Sequence, residues 1–482
     1  MSSICFLLFC LMLTSCQSPE VTEEEPFSEL TGLVDNYARK TLDKGNINAL
    51  ALSVYRGGEL YSGYYGHFDS KTQTLQNDST LYEVASISKV FLGQLVARAV
   101  LEEKIDLDED IRSFLPEPYP NLEYEGTPVT IRNLVTHTLG FEAPEAFRKA
   151  FGNTKVVYRI DDLLSDLKEV VMDTLPGAVY DYNNVGPELA AYILEQTYDR
   201  SYSDLLEAFF TEVGIKDAFL RGQKDQSERI IKGHDEAGNA APLEAPVALG
   251  GAGGIIAALP AITTFMQYHL ESDDPSIKES SRPLFEDGED DTAYFWDVGE
   301  GEREGFYYYK TGTSNGVQSI VLICPEADYG MVLIMNNTSD AAFDDWLSLY
   351  NRIEYDLIEY PRINLWSKVE PVFNQDWEKA LAEYRILKKD SSTYFFGTDY
   401  LRNIGYDYLY NDRNQKAVDL FRFALAEDPK NPQLLTDLGR SYFESGNMEL
   451  AKTNFQEALT IDPEVQVALE YLEKMDEQAG LE

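Results

Sequence analysis

Ser86-Ile87-Ser88-Lys89 opens the run Val90-Phe91-Leu92-Gly93-Gln94-Leu95-Val96-Ala97-Arg98-Ala99-Val100-Leu101. The apolar run has the length and composition of a helix, and a spacing of three puts Ser86 and Lys89 on one face, one turn apart. An amine then lies within reach of a hydroxyl. A serine hydroxyl is a poor nucleophile at neutral pH, and a lysine serves as its base only where burial or neighbouring cations populate the neutral amine. The same spacing recurs at Ser165-Asp166-Leu167-Lys168 in a more polar, acidic stretch, which is read as a decoy.

Working outward, Leu50–Tyr55 and Leu60–Tyr65 read as two strands joined by a tight turn at Gly57-Gly58, after a helical pattern from Phe27 to Ala38. A second strand pair is expected far downstream, at 316–324 and 329–336, separated by Pro325-Glu326-Ala327-Asp328. Between the pairs the pattern is mainly helix and loop. The expected fold class is α+β: an antiparallel sheet built from both ends of one domain, flanked by helices, with a mainly helical subdomain inserted.

Two further elements carry chemistry. Tyr182-Asn183-Asn184 follows Pro176-Gly177 and precedes a helix expected near Pro187, which fixes Tyr182 and Asn184 on a loop at a helix start. A phenol near two ammonium groups gives up its proton more easily, and an amide can donate to a carbonyl. Tyr119-Pro120-Asn121, in a proline-rich turn, is read as surface loop. Lys310-Thr311-Gly312-Thr313 leads into the strand from Gly316. Its lysine and hydroxyl suit a substrate carboxylate, Gly312 admits substrate to the backbone, and the Thr313 N–H suits an oxyanion hole.

In this order and setting the three elements resemble the serine β-lactamase and penicillin-binding-protein superfamily. Tyr-x-Asn in the middle is similar to the class C β-lactamase branch with its esterases and D-amino-acid peptidases. Leu134-Val135-Thr136-His137-Thr138-Leu139-Gly140 and Gly250-Gly251-Ala252-Gly253-Gly254 resemble further segments of that branch, so the likeness spans about residues 28–350. It implies Ser86 as the acylated nucleophile and Lys89 with Tyr182 as the proton-transfer pair. Asn184 would anchor substrate, Lys310 and Thr311 would be its electrostatic partners, and the Ser86 and Thr313 N–H groups would polarise the carbonyl. His137 is implied to be structural. Lysine rather than histidine in the third element favours a substrate with a carboxylate. The chemistry implied is hydrolysis through an acyl-enzyme with no cofactor, on a β-lactam, a D-Ala-type peptide or an ester. The alternative is a catalytically idle binding or sensing module.

The last 85 residues carry an internal repeat. A shift of 34 superposes Leu401, Gly405, Tyr408, Ala417, Phe421, Ala424, Leu425 and Asp428-Pro429 on Leu435, Gly439, Tyr442, Ala451, Phe455, Ala458, Leu459 and Asp462-Pro463. Period and residue types resemble the tetratricopeptide repeat, whose small residues let antiparallel helices approach. Two repeats cover 398–465 and a cap follows, so 398–482 is expected to be an all-α repeat domain, after a linker and one extra helix at 361–397 and a hydrolase domain at 27–360. The repeats either bind a peptide or protein partner or cover a face of the main domain.

Composition bounds the rest. The 482 residues, 44% hydrophobic and 26% charged, suit globular domains, and 83 acidic against 40 basic side chains give a net charge of −43, which disfavours nucleic acid and anionic lipid surfaces. Ile4–Leu13 is too short to span a bilayer but fits a signal-peptide core. Leu13-Thr14-Ser15-Cys16 resembles a bacterial lipobox, which implies removal of 1–15, lipidation at Cys16, an acidic tether over 16–26 and an envelope lipoprotein touching membrane only through its anchor. The alternative is an ordinary signal peptide cut near Ser15. Cys324 is expected to be a buried strand residue, and four scattered histidines give no metal-ligand spacing.

Overall fold

The computed structural model describes residues 26–479 apart from 70–73, 152, 154, 236–238 and 411–412. The expected signal peptide, Cys16 and the tether up to residue 25 lie outside the described residues. Seven antiparallel strands form the main sheet, in the order Thr74–Leu75, Glu59–Asp69, Ala49–Arg56, Tyr329–Met335, Gln318–Cys324, Gly305–Thr313 and Asp297–Gly301. The first hairpin closes through Gly57 and Gly58 at φ 59° and 86°, as a two-residue turn with both central residues left-handed requires. Gln318–Cys324 and Tyr329–Met335 are buried along their whole length, because both faces of the sheet are covered; that is why they read as unbroken apolar runs.

Alternate residues serve the two faces. Leu50, Leu52, Val54, Leu322, Cys324, Met331 and Leu333 pack beneath the helices Pro26–Asp43 and Asp340–Glu359. Ala49, Ala51, Val321, Val332 and Ile334 face the helix Leu259–Glu271 and, beyond it, the helical subdomain that holds Ser88–Leu101 and Val185–Tyr198. A small sheet of Leu81–Glu83, Ile255–Ala258 and Ala218–Leu220 delivers the chain to Ser86.

The C-terminal region is helical: Thr398–Tyr410 pairs with Asn414–Leu425, Pro432–Glu444 with Met448–Ile461, and Gln466–Ala479 follows. Residues 361–397 correct the expected linker with one helix. Leu365–Phe373 and Trp377–Leu387 form a helical pair whose Trp366, Phe373 and Tyr384 share one core with Phe421 and Phe423 of the repeats. The missed helix is short and interrupted by Pro371, which weakened its signal. The array docks on Asp340–Glu359, and so on the side of the sheet away from the helical subdomain.

Candidate active site

Ala85, at φ 47°, bends the chain sharply out of Leu81–Glu83 and presents Ser86 on a single 3-10 turn, Ala85–Ile87, ahead of the helix Ser88–Leu101. The helix therefore starts two residues after Ser86, yet the spacing of three still brings Lys89 Nζ to 3.0 Å from Ser86 Oγ. Lys89 is wholly buried and donates to Ala252 O at 2.6 Å. Burial lowers its pKa to about 7, against the opposing pull of Glu188, Asp297 and Glu244.

Tyr182 donates its hydroxyl to Ser86 Oγ at 2.6 Å, and its ring lies 4.9 Å from Lys89 Nζ and 5.2 Å from Lys310 Nζ. The two ammonium groups expected from the sequence are there, but the net effect on the phenol is upward. Desolvation is the largest cause and outweighs the lowering by Lys310 and by the hydrogen bond with Ser86. The resting phenol is thus an acid. Asn183 fixes the loop: its side chain donates to Phe141 O at 3.2 Å and accepts from Val185 N at 2.8 Å. His137, buried at φ 57°, places Nδ1 3.0 Å from Asn183 O and its ring 4.5 Å from that of Tyr182. Burial, then Lys310 and Lys89, hold the imidazole well below its ordinary pKa, so it is a neutral shelf beneath Tyr182. Asn184 keeps a buried Oδ1 with no protein partner.

The strand Gly305–Thr313 brings the third element to the same place. A Cβ on Gly312 would sit 2.2 Å from Val84 O and 3.2 Å from Ser86 N, so only glycine lets this strand lie against the Ser86 turn. Ser319 Oγ donates to Val84 O at 3.4 Å and to Gly312 O at 3.2 Å, tying the two segments together. Half-buried Thr311 and exposed Thr313 flank Gly312, and Thr313 Oγ1 donates to Gln318 Oε1 at 2.7 Å. Lys310, almost wholly buried, is already paired: its Nζ lies 3.0 and 3.1 Å from the two oxygens of Asp297.

A family model described as Beta-lactamase matches residues 34–350, about two thirds of the chain. The chain belongs to the Beta-lactamase family. A tetratricopeptide repeat model matches residues 408–470. A Beta-lactamase from Providencia stuartii is 21% identical over 395 residues, covering 73% of this chain and 95% of that one. A D-alanyl-D-alanine-carboxypeptidase/endopeptidase, AmpH, from Escherichia coli K12 is 24% identical over 271 residues, 55% of this chain and 70% of its own. Among solved structures, a Beta-Lactamase/D-Alanine Carboxypeptidase from Pseudomonas syringae superposes with a TM-score of 0.59 at 19% identity, over 68% of this chain and 99% of that one.

The β-lactamase-family domain thus gathers Ser86, Lys89, Tyr182, Lys310 and Gly312 around one point and leaves the decoys outside. Ser165 is exposed and Lys168 pairs with Glu117 at 2.7 Å. Tyr119 departs from the surface-loop expectation: it is buried and donates to Leu164 O at 2.9 Å, which makes it a core anchor. Two residues escaped the sequence reading. Glu188, one turn after Asn184, is fully buried and accepts from the N–H groups of Leu249, Gly250 and Ala252 at 2.9, 3.0 and 2.9 Å. A glutamate inside the apolar run Val185–Ala191 was its signal. Asp297 had none, since a strand register, Asp297 opposite Tyr309, brings it to Lys310. Among the described residues no group of His, Cys, Asp and Glu could hold a metal ion, and no helix is long and apolar enough to cross a membrane.

Proposed function

We propose that this chain is an exported serine hydrolase that acylates Ser86 and then hydrolyses the acyl-enzyme. Supporting this most directly is the convergence of Lys89 Nζ and Tyr182 OH on Ser86 Oγ, at 3.0 and 2.6 Å. With its pKa near 7, Lys89 takes the Ser86 proton as Oγ attacks the acyl carbon. The Ser86 and Thr313 N–H groups receive the oxyanion. As the bond to the leaving group breaks, Tyr182 hands its proton to the departing atom and recovers one from Lys89. Water then attacks the acyl carbon, the acid is released and the proton returns to Ser86 Oγ. Asn184 is the substrate anchor in this reading, its Oδ1 lacking a protein partner. Export is supported by the apolar Ile4–Leu13 run and the lipobox-like Leu13-Thr14-Ser15-Cys16.

The test is intact-mass spectrometry of residues 26–482 with a fluorophosphonate, a penicillin and a chromogenic short-chain ester, beside Ser86→Ala. An adduct or ester turnover lost in Ser86→Ala is expected. Silence towards all three would return the domain to an idle binding module.

A further inference from the structure

The substrate carboxylate expected from Lys310 meets an occupied partner. Both oxygens of Asp297 lie against Lys310 Nζ, and the pair is withdrawn from water, with 3% of the lysine side chain and 24% of the aspartate side chain exposed. Asp297 begins the edge strand Asp297–Gly301, whose pairing with Gly305–Thr313 ends at Tyr309. Beyond that point the outer edge of Lys310–Thr313 has no strand partner among the described residues, so it is the edge along which an extended substrate would lie. The carboxylate of Asp297 therefore stands where that free edge begins. The nearby cation Arg221, which reaches Gly253 O at 3.5 Å, is itself paired with Glu83 at 2.9 Å and Glu244 at 3.5 Å. Glu188 and Glu244 act on Lys89 from the helix Val185–Tyr198 and from the loop before the glycine-rich turn. On the outer side, Asp290 and Asp297 together raise the phenol pKa of Tyr180 and Tyr309, after the larger effect of burial.

We propose that Asp297 sets the substrate class of this site, by neutralising Lys310 and so selecting acyl compounds whose leaving group is uncharged over those that carry a free carboxylate beside the scissile bond. This rests on Ser86 being the acylated nucleophile. A substrate carboxylate has to displace Asp297 from Lys310 or accept its repulsion, whereas a neutral ester or amide does neither. The third motif, lysine included, is thereby kept for holding Tyr182 and the oxyanion region, with its affinity for anions spent internally.

The measurement is a competition between two thioesters of one acyl group: hippuryl thioglycolic acid, with a carboxylate on the leaving group, and its methyl ester. Each kcat/KM is normalised to spontaneous hydrolysis. The wild-type protein is expected to favour the methyl ester at least tenfold. Asp297→Asn frees the Lys310 charge and is expected to move the acid-to-ester ratio at least tenfold towards the acid, while Asp297→Glu keeps the charge and the wild-type preference. A wild-type protein that turns over the acid as fast as the ester overturns the proposal without any variant, and so does a ratio unmoved in a folded Asp297→Asn. Ser86 that reacts with a fluorophosphonate but with neither thioester overturns the substrate class alone. Ser86 silent towards all three overturns the reading beneath it.

Discussion

Glu188 and Lys89 act on one another through the glycine-rich turn. The carboxylate gathers three backbone N–H groups of 249–252, and the carbonyl of Ala252 takes the Lys89 ammonium. Burial raises Glu188 to about 7 and lowers Lys89 to about 7, and the Glu188 carboxylate pulls the Lys89 value back up. Acylation needs the neutral amine, so kcat/KM should rise with pH through about 7 and then level. Stability has the matching sign: the folded lysine binds fewer protons than the unfolded one between about 7 and its ordinary value, so its cost is full below about 7 and fades as pH rises. In Glu188→Gln the negative charge that holds the Lys89 pKa up is gone, and the rising limb should move to lower pH. The amide also presents N–H to N–H groups of the turn, a loss of about 1–3 kcal/mol readable in denaturant unfolding. A limb that stays in place while the protein loses stability would reduce Glu188 to a scaffold residue.

At the scale of elements, glycine decides two joints. In Gly312→Ala the new methyl meets the backbone oxygen of Val84, which cannot swing aside, so the strand has to leave the Ser86 turn. The expected result is loss of Ser86 labelling in a protein that still unfolds cooperatively. In the repeats, a Cβ on Gly405 would lie 2.2 Å from the Phe421 ring and one on Gly439 2.7 Å from the Phe455 ring. Gly405→Ala should cost about 1–3 kcal/mol of stability through overpacking, with ester turnover at Ser86 retained. These joints also show what was legible beforehand. Gly405 and Gly439 stand at the 34-residue period because each repeat must make the same close approach, so a shifted self-comparison finds them. Ser86 and Lys89 are bound by helix spacing, and Tyr182 with Asn184 by a loop before a helix, both local relations that a sequence displays. Lys310 meets Asp297, and Glu188 meets the turn at Gly250, through strand register and helix packing. Nothing local records those partners. Tyr119 misled for the same reason, because a proline-rich turn reads as surface until Leu164 covers it.

At the scale of the whole molecule, the sheet separates the chemistry from the repeats. Ser86 and the helical subdomain lie on one face, and the helices Pro26–Asp43 and Asp340–Glu359 on the other, where they carry the repeat array. The joint is polar and partly buried. Lys44 pairs with Asp345 at 2.8 Å and with Asp407, Arg352 reaches Asp407 at 3.5 Å, Lys40 meets Glu370 at 2.7 Å, and Tyr400 donates to the Tyr37 hydroxyl at 3.3 Å. In a chain of net charge −43, these cations of the β-lactamase-family domain hold carboxylates that would otherwise repel it. Asp407→Ala leaves Lys44 with Asp345 alone and takes an ion-pair partner from Arg352, which should cost about 1–3 kcal/mol of docking free energy. Hydrogen exchange should then quicken across 398–479, with the sheet strands Gln318–Cys324 and Tyr329–Met335 unchanged. Ester turnover should stay at the wild-type rate, because the sheet intervenes between Asp407 and Ser86. A fall in turnover that tracks the loosening of the repeats would mean that the array, from the far side of the sheet, supports the geometry of the Gly312 strand.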